Sequence, residues 1–183
     1  MRSHDTHMGT EVLVAYASKH GSTAALAEAV AKGLEEHGLD VALVEAGRVR
    51  SVEPYRAVVV GSAVYMGRWR PEAKRLLRRH RRALAERDLW LFSSGPVGEQ
   101  PADPDDPKAE RWLRPPKVKA LGEALGAHDH TVFGGSVDED GGFMRRKMAQ
   151  GTPDELKDLR DWDAVRAWAG DIAAALAASP ASS

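Results

Sequence analysis

Val12-Leu13-Val14-Ala15-Tyr16-Ala17-Ser18-Lys19-His20-Gly21-Ser22-Thr23 is the stretch whose reading decides the fold. It opens as a short apolar run of the kind that forms a strand buried on both faces. It then turns into a loop dense in hydroxyls and glycine. Beyond Thr23, Leu26, Val30 and Leu34 recur at i, i+4 and i+8 with small alanines between them, which predicts a helix over Ser22–His37. The loop therefore lies where the carboxyl end of a strand meets the amino end of a helix. Unpaired N–H groups and the positive end of the helix dipole gather there, and both suit an anion.

The same alternation continues through the chain. Strands are expected at Val12–Ala17, Val41–Glu45, Ala57–Val60, Leu89–Phe92 and Thr131–Phe133. Helices are expected at Glu72–Arg87, led by Pro71, and at Pro116–Gly126 and Phe143–Ala149. A last helix is expected to be capped by Asp161, with Trp162, Val165, Ala169, Ile172 and Leu176 on one face. The proline- and charge-rich residues 99–116 read as a long irregular insertion. Short apolar strands alternating with helices imply a parallel sheet covered on both sides, an α/β/α sandwich. Five such strands suit the order 2-1-3-4-5, which gathers ligand loops at the carboxyl ends of the first, third and fourth. Those are the three places where glycine and hydroxyl residues cluster. The expected organisation is a lead-in over 1–10, a single domain over 11–178 and a frayed tail over 179–183.

Composition narrows the function classes. The 183 residues carry a net charge of −1, so bulk charge does not point to nucleic acid. With no cysteine, disulfides, thiolate metal sites and cysteine nucleophiles are excluded. No apolar run is long enough to span a bilayer, and the first residues lack the apolar segment of a secretory signal, so a cytoplasmic protein is the expectation.

Each loop has a chemical reading. Ser18, Ser22 and Thr23 offer hydroxyls to a phosphate, and Gly21 lets the backbone approach closely. A nucleoside triphosphate fits less well because GxxxxGK[ST] is absent, and a dinucleotide because GxGxxG is absent. A phosphoacceptor domain would place acidic residues at the strand ends, where Ala17 and Ser62 stand. In Tyr65-Met66-Gly67-Arg68-Trp69, Tyr65 or Trp69 could stack on a planar ring, and the Met66-Gly67 peptide has conformational freedom. Ser94-Gly95-Pro96-Val97-Gly98 suits backbone hydrogen bonds to the pyrimidine edge of a flavin. The phosphate is therefore read as that of flavin mononucleotide (FMN). Trp112, Trp162 and Trp168 read as packing anchors, and His128-Asp129-His130 lacks the third ligand cluster a metal would need.

Three stretches carry a family resemblance: Ser18–Thr23, Gly61–Trp69 and Leu159–Ala169. Over roughly Glu11 to Ala178 the chain resembles the flavodoxin-domain proteins, nearest the branch related to menaquinone-dependent protoporphyrinogen IX dehydrogenase. The resemblance implies a flavodoxin-like fold, FMN as cofactor and one- or two-electron transfer as activity. By position it implies phosphate contacts from Ser18, Lys19, His20, Gly21, Ser22 and Thr23. It also implies ring contacts from Ala63, Val64, Tyr65, Met66, Gly67 and Trp69, and further contacts from Ser94, Gly95, Pro96, Val97 and Gly98. No catalytic side chain and no metal ligand is required. The electron partner would be a redox protein or a quinone.

Arg68, Arg70, Lys74, Arg75, Arg78, Arg79, Arg81, Arg82 and Arg87 form a basic block on the outer face of the expected Arg68–Arg87 segment. Such a block reads first as a solvated face. The sharper reading is a dock for an acidic partner or for an anionic membrane surface. A flavodoxin-fold module that has lost its cofactor and acts through this face is the alternative outside redox chemistry; an FMN-dependent oxidoreductase with its own organic substrate is the alternative within it.

Overall fold

The computed structural model describes residues 11–95, 107–136 and 142–179. Five strands form one parallel sheet: β1 (Val12–Ala17), β2 (Val41–Glu45), β3 (Ala57–Tyr65), β5 (Asp88–Ser94) and β6 (Asp129–Phe133). Their spatial order is β2-β1-β3-β5-β6. This is the expected 2-1-3-4-5 order, with a two-residue strand, β4 (Arg68–Trp69), added antiparallel to the end of β3. The strand order and the two covered faces are those of the expected flavodoxin-like α/β/α sandwich.

Period-two alternation divides the core into two layers. Val12 and Val14 of β1, Val59 of β3 and Trp90 and Phe92 of β5 face helices α1 (Ser22–Glu36) and α8 (Trp162–Ala178). Leu26, Val30 and Leu34 from α1 meet Val165, Ile172 and Leu176 from α8 in this layer. The residues between, Leu13 and Ala15, Val58 and Val60, Leu89 and Leu91, face the other way. They pack on α2 (Pro71–Arg79), α3 (Arg81–Leu84) and α5 (Pro116–Ala124) through Leu76, Leu77, Leu84 and Val118.

The expected helix over Glu72–Arg87 is two helices. His80, at φ −101° and ψ 18°, leaves the helical region and separates α2 from α3. The expected irregular stretch 99–116 contains a seven-residue helix, α4 (Pro107–Leu113), opened by a proline in its first turn; residues 99–106 lie outside the described ones. Asp161 caps α8 as expected, its Oδ1 accepting the Ala164 N–H at 3.0 Å. Helices α6 (Gly142–Gly151) and α7 (Asp154–Lys157) complete the chain. Among the described residues, no helix is long and apolar enough to cross a membrane.

One close approach between neighbouring strands matters for the site. A Cβ on Gly61 of β3 would sit 2.0 Å from the Phe92 ring on β5. That ring is fully buried and touches Phe133 and Trp168 at centroid separations of 5.9 Å each. Gly61→Ala should therefore overpack the core and cost about 1–3 kcal/mol. The expected outcome is a lower urea midpoint with an unchanged slope.

Candidate functional site

The sheet register aligns the carboxyl ends of the strands. Ala17 of β1 pairs with Ser62 of β3, which pairs with Ser93 of β5. One step further, Ala63 pairs with Ser94, and Ser94 with Phe133. The loops leaving these positions therefore share one edge.

At the first loop, Ser18 Oγ accepts the Gly21 N–H at 3.0 Å, and Gly21 (φ 89°) turns the chain into α1. Gly21 supplies no side-chain cap, and the first turn of α1 holds no acidic residue. The helical ladder begins with Ala25 N–H on the Gly21 carbonyl, so the N–H groups of Ser22, Thr23 and Ala24 lie at the open end. The dipole of α1 is thus left uncompensated, in contrast to that of α8, where Asp161 caps and Asp163 follows. Lys19 and His20 are exposed beside it. Ser22 Oγ accepts the Ser136 N–H at 3.0 Å and so ties this loop to the chain leaving β6. Thr23 is buried, with 1% of its surface exposed. Its backbone can face a ligand; its side chain belongs to the interior.

At the second loop, Met66 (φ 48°) and Gly67 (φ 67°) are both left-handed and join β3 to β4 in a two-residue hairpin, with Tyr65 paired to Arg68. Positive φ at both central positions is the geometry of a type I′ turn. For a methionine it costs about 1–2 kcal/mol. Strain of this kind concentrates at functional loops. Tyr65 and Met66 are 69% and 72% exposed.

Two tryptophans differ in burial from what their expected roles would suggest. Trp69, read as a ring stacker, is buried beneath the hairpin, and its Nε1–H donates to Ser93 Oγ at 2.8 Å. Trp112 of α4, read as a packing anchor, is 53% exposed and lies 3.7 Å from where a Cβ on Gly67 would be. Sequence reasoning missed Trp112 because its loop separates it from β5 by more than a dozen residues. The adjacent Glu110–Lys119 ion pair and the Arg114 Nε–His130 carbonyl bond, which hold α4 in place, have no local sequence signature. Trp162 is partly exposed under Arg160, and Trp168 is a core residue whose Nε1–H donates to Asp129.

The third loop begins at Ser94, which is buried, and Gly95. Gly95 N–H donates to the Phe133 carbonyl at 3.0 Å, and a Cβ there would lie 3.6 Å from the Val64 carbonyl oxygen. Ser94 and Gly95 thus stand beside Ala63 and Val64. Pro96, Val97 and Gly98 lie outside the described residues.

Behind the three loops runs a buried polar chain. Trp69 donates to Ser93 Oγ, and the Ser93 hydroxyl in turn lies 2.9 Å from His130 Nε2. The edge of the Trp69 indole also meets the His130 ring. Burial first, then the positive charge of Arg114, lowers the His130 pKa from 6.5 to about 4. Its imidazole is therefore neutral, and neutral Nε2 can accept the serine proton. His128, by contrast, pairs with Asp88, and Asp129 with Trp168, so the His128-Asp129-His130 run addresses three separate partners.

The family profile described as "Flavodoxin domain" matches residues 13–159. A flavodoxin from the domain Archaea superposes with a TM-score of 0.59 at 16% identity, covering 91% of this chain and 99% of that one. Flavodoxin 2 from Bacillus cereus, in its oxidised form, gives 0.55 at 18% identity, covering 93% and 99%. The rubredoxin oxygen:oxidoreductase of Desulfovibrio gigas gives 0.61 at 20% identity, covering 94% of this chain and 37% of that larger one. No curated protein sequence matches the chain.

Two measurements probe the site's architecture without any ligand. The unfolded chain takes up the His130 proton near pH 6.5 and the folded chain only near 4, so stability falls as pH drops through that window. The loss should reach roughly 3 kcal/mol, and His130→Gln should remove that share of the dependence in denaturation curves run from pH 7 to 4. Met66→Asn, which tolerates the left-handed turn, should raise stability by about 0.5–1 kcal/mol in thermal melts.

Proposed function

The chain belongs to the flavodoxin-domain family, and from that premise we propose that it binds FMN and works as a redox carrier. The observation that supports this most is the shared edge of the sheet. An uncompensated helix amino end bearing Ser18 and Ser22 lies there near a strained hairpin that exposes Tyr65 and Met66. The donor set suits a phosphate monoester: hydroxyls, backbone N–H groups and two basic side chains, with no carboxylate in the loop. The open surface of Tyr65, Met66 and Trp112 suits a flat ring.

In this reading Ser18, Ser22 and the N–H groups of Ser22 to Ala24 hold the phosphate, with Lys19 contributing positive charge, His20 a ring N–H and Gly21 giving access. Ala63, Val64, Tyr65, Met66 and Gly67 border the ring, and Trp112 bounds it from the α4 side. Trp69 supports the hairpin from beneath. Ser94 to Gly98 meet the pyrimidine edge. Bound FMN would supply reversible one- or two-electron chemistry. The protein's part is to orient the ring, exclude water and set the polarity around it.

The electron partner is a redox protein or a quinone, and the expected location is the cytoplasm. A second reading rests on the segment Leu159–Ala169 and its resemblance to the protoporphyrinogen-dehydrogenase branch. It makes the protein an oxidoreductase with an organic substrate and a quinone acceptor. Turnover of a porphyrinogen with quinone separates it from the carrier.

A visible spectrum of the purified protein, followed by titration of the apoprotein with FMN, tests the central proposal. Saturable binding with perturbed flavin bands is the expected result; no binding overturns it. Ser22→Asp sharpens the test. A carboxylate in the first turn complements the dipole of α1, so the fold should stay at least as stable. The same charge should repel a phosphate and weaken FMN at least tenfold. Unchanged affinity would remove the phosphate from this loop.

A further inference from the structure

The nine cations of the basic block are not equivalent. Arg87 is structural: its guanidinium donates to the carbonyls of Tyr55, Ala83 and Glu53. Arg70 pairs with Glu72. Lys74, Arg75, Arg78, Arg79, Arg81 and Arg82 make no ion pair among the described residues, and all but the half-buried Lys74 are exposed. On α2, Lys74 and Arg78 are four residues apart, as are Arg75 and Arg79. Such like-charge pairs destabilise a helix by about 0.2–0.5 kcal/mol each. The fold gains nothing from them, because Ala73, Leu76 and Leu77 on the opposite face supply its packing.

The strip also dominates the charge distribution. Residues 68–87 hold nine cations and two carboxylates, a net +7, so the remaining residues of a chain with net charge −1 carry −8. Shallow grooves run between the guanidinium groups. One of about 530 Å³ is lined by Pro71, Lys74, Arg75, Arg78 and Arg79; another of about 450 Å³ is bordered by Arg78, Arg79, Arg81 and Arg82 with His80, Ala83 and one carboxylate, Glu53, so the first is the more purely cationic.

We propose that the α2–α3 strip is a docking surface for a carboxylate-rich patch on a partner protein. Eight of the nine cations are arginines, whose planar forks hold carboxylates in bidentate pairs. Grooves between them accept projecting acidic side chains. A bilayer suits this surface less well. Membrane-surface helices present Trp, Phe or Leu to the acyl boundary, whereas the apolar face of α2 is buried in the core and no exposed large apolar side chain among the described residues lies on α2 or α3. The strip begins at Pro71, four residues after Gly67, so its upper end adjoins the hairpin of the candidate site. It contains none of the residues assigned to FMN, and the surface stands whether or not flavin binds.

The test uses the full chain, a synthetic peptide alternating glutamate and serine, and vesicles of mixed phosphatidylserine and phosphatidylcholine. Binding to the peptide should be saturable and fall steeply as salt rises from low to physiological strength. The quadruple variant Arg75→Glu, Arg78→Glu, Arg79→Glu, Arg82→Glu should weaken it at least tenfold. Its circular dichroism and FMN titration should match the parent's, and the milder Arg75→Gln, Arg79→Gln pair should give an intermediate loss should the reversal fail to fold. Vesicle binding equal to or stronger than peptide binding would overturn the proposal in favour of a membrane surface. No peptide binding, or binding that the variants leave intact, would overturn it outright.

Discussion

A parallel sheet buried on both faces must satisfy its backbone polar groups within itself and must return the chain to the same end after each strand, most often through a helix. That constraint places everything else in this molecule. Because β1, β3, β5 and β6 all run the same way, their carboxyl ends reach one edge together, and register puts Ala17, Ser62 and Ser93 side by side there. The residues at this edge are small or hydroxylic where the strands themselves are Val, Leu and Phe. The change in residue type marks where the sheet stops being core and gives way to loops.

The edge is held by polar contacts that cross between elements. Trp69, Ser93 and His130 come from three different strands and join the strained hairpin to the interior of the sheet. Ser22 and Ser136 join the start of α1 to the chain beyond β6. Trp69 and Ser93 are removed from water and would cost free energy if left unpaired, and the contacts to His130 and Ser22 are partly buried. Paired, they hold three loops in fixed relation without any ligand. A loop kept at positive φ on Met66 needs such support, since the backbone alone would relax.

Much of this was legible in the sequence, and the exceptions have physical causes. The five parallel strands show as short apolar runs, because double burial leaves no polar alternation to confuse them. The first loop shows because hydroxyls and glycine follow an apolar strand directly. Strand β4 does not show, since two residues are too few to carry a period. The break at His80 is equally silent: leucines continue on the inward side past it, and no glycine or proline marks the bend. The tryptophans were harder still. Trp69 lies next to the loop in sequence yet is drawn inward by a serine 24 residues away, whereas Trp112 reaches Gly67 only through tertiary contacts of α4. Exposure of a large aromatic is decided by what covers it, and the cover is non-local.

Net charge hides the electrostatics of this protein in the same way. A chain total of −1 describes the balance of two opposed regions rather than a neutral surface. Within a Debye length of about 8 Å at physiological salt, an approaching molecule senses the nearest side chains, not the sum. A molecule meeting α2 encounters guanidinium groups with no ion-pair partner among the described residues, and much of the balancing negative charge is concentrated in sequence, with seven carboxylates and no cation in residues 96–106 and 137–141. Burial accounts for the leucines of α2 and hydrogen bonding for Arg87, but neither accounts for Arg75, Arg78, Arg79 and Arg82. Self-repulsion along a helix is tolerated without return unless something outside the chain neutralises it, and a docked carboxylate-rich partner would supply that neutralisation where the sheet and the loops do not.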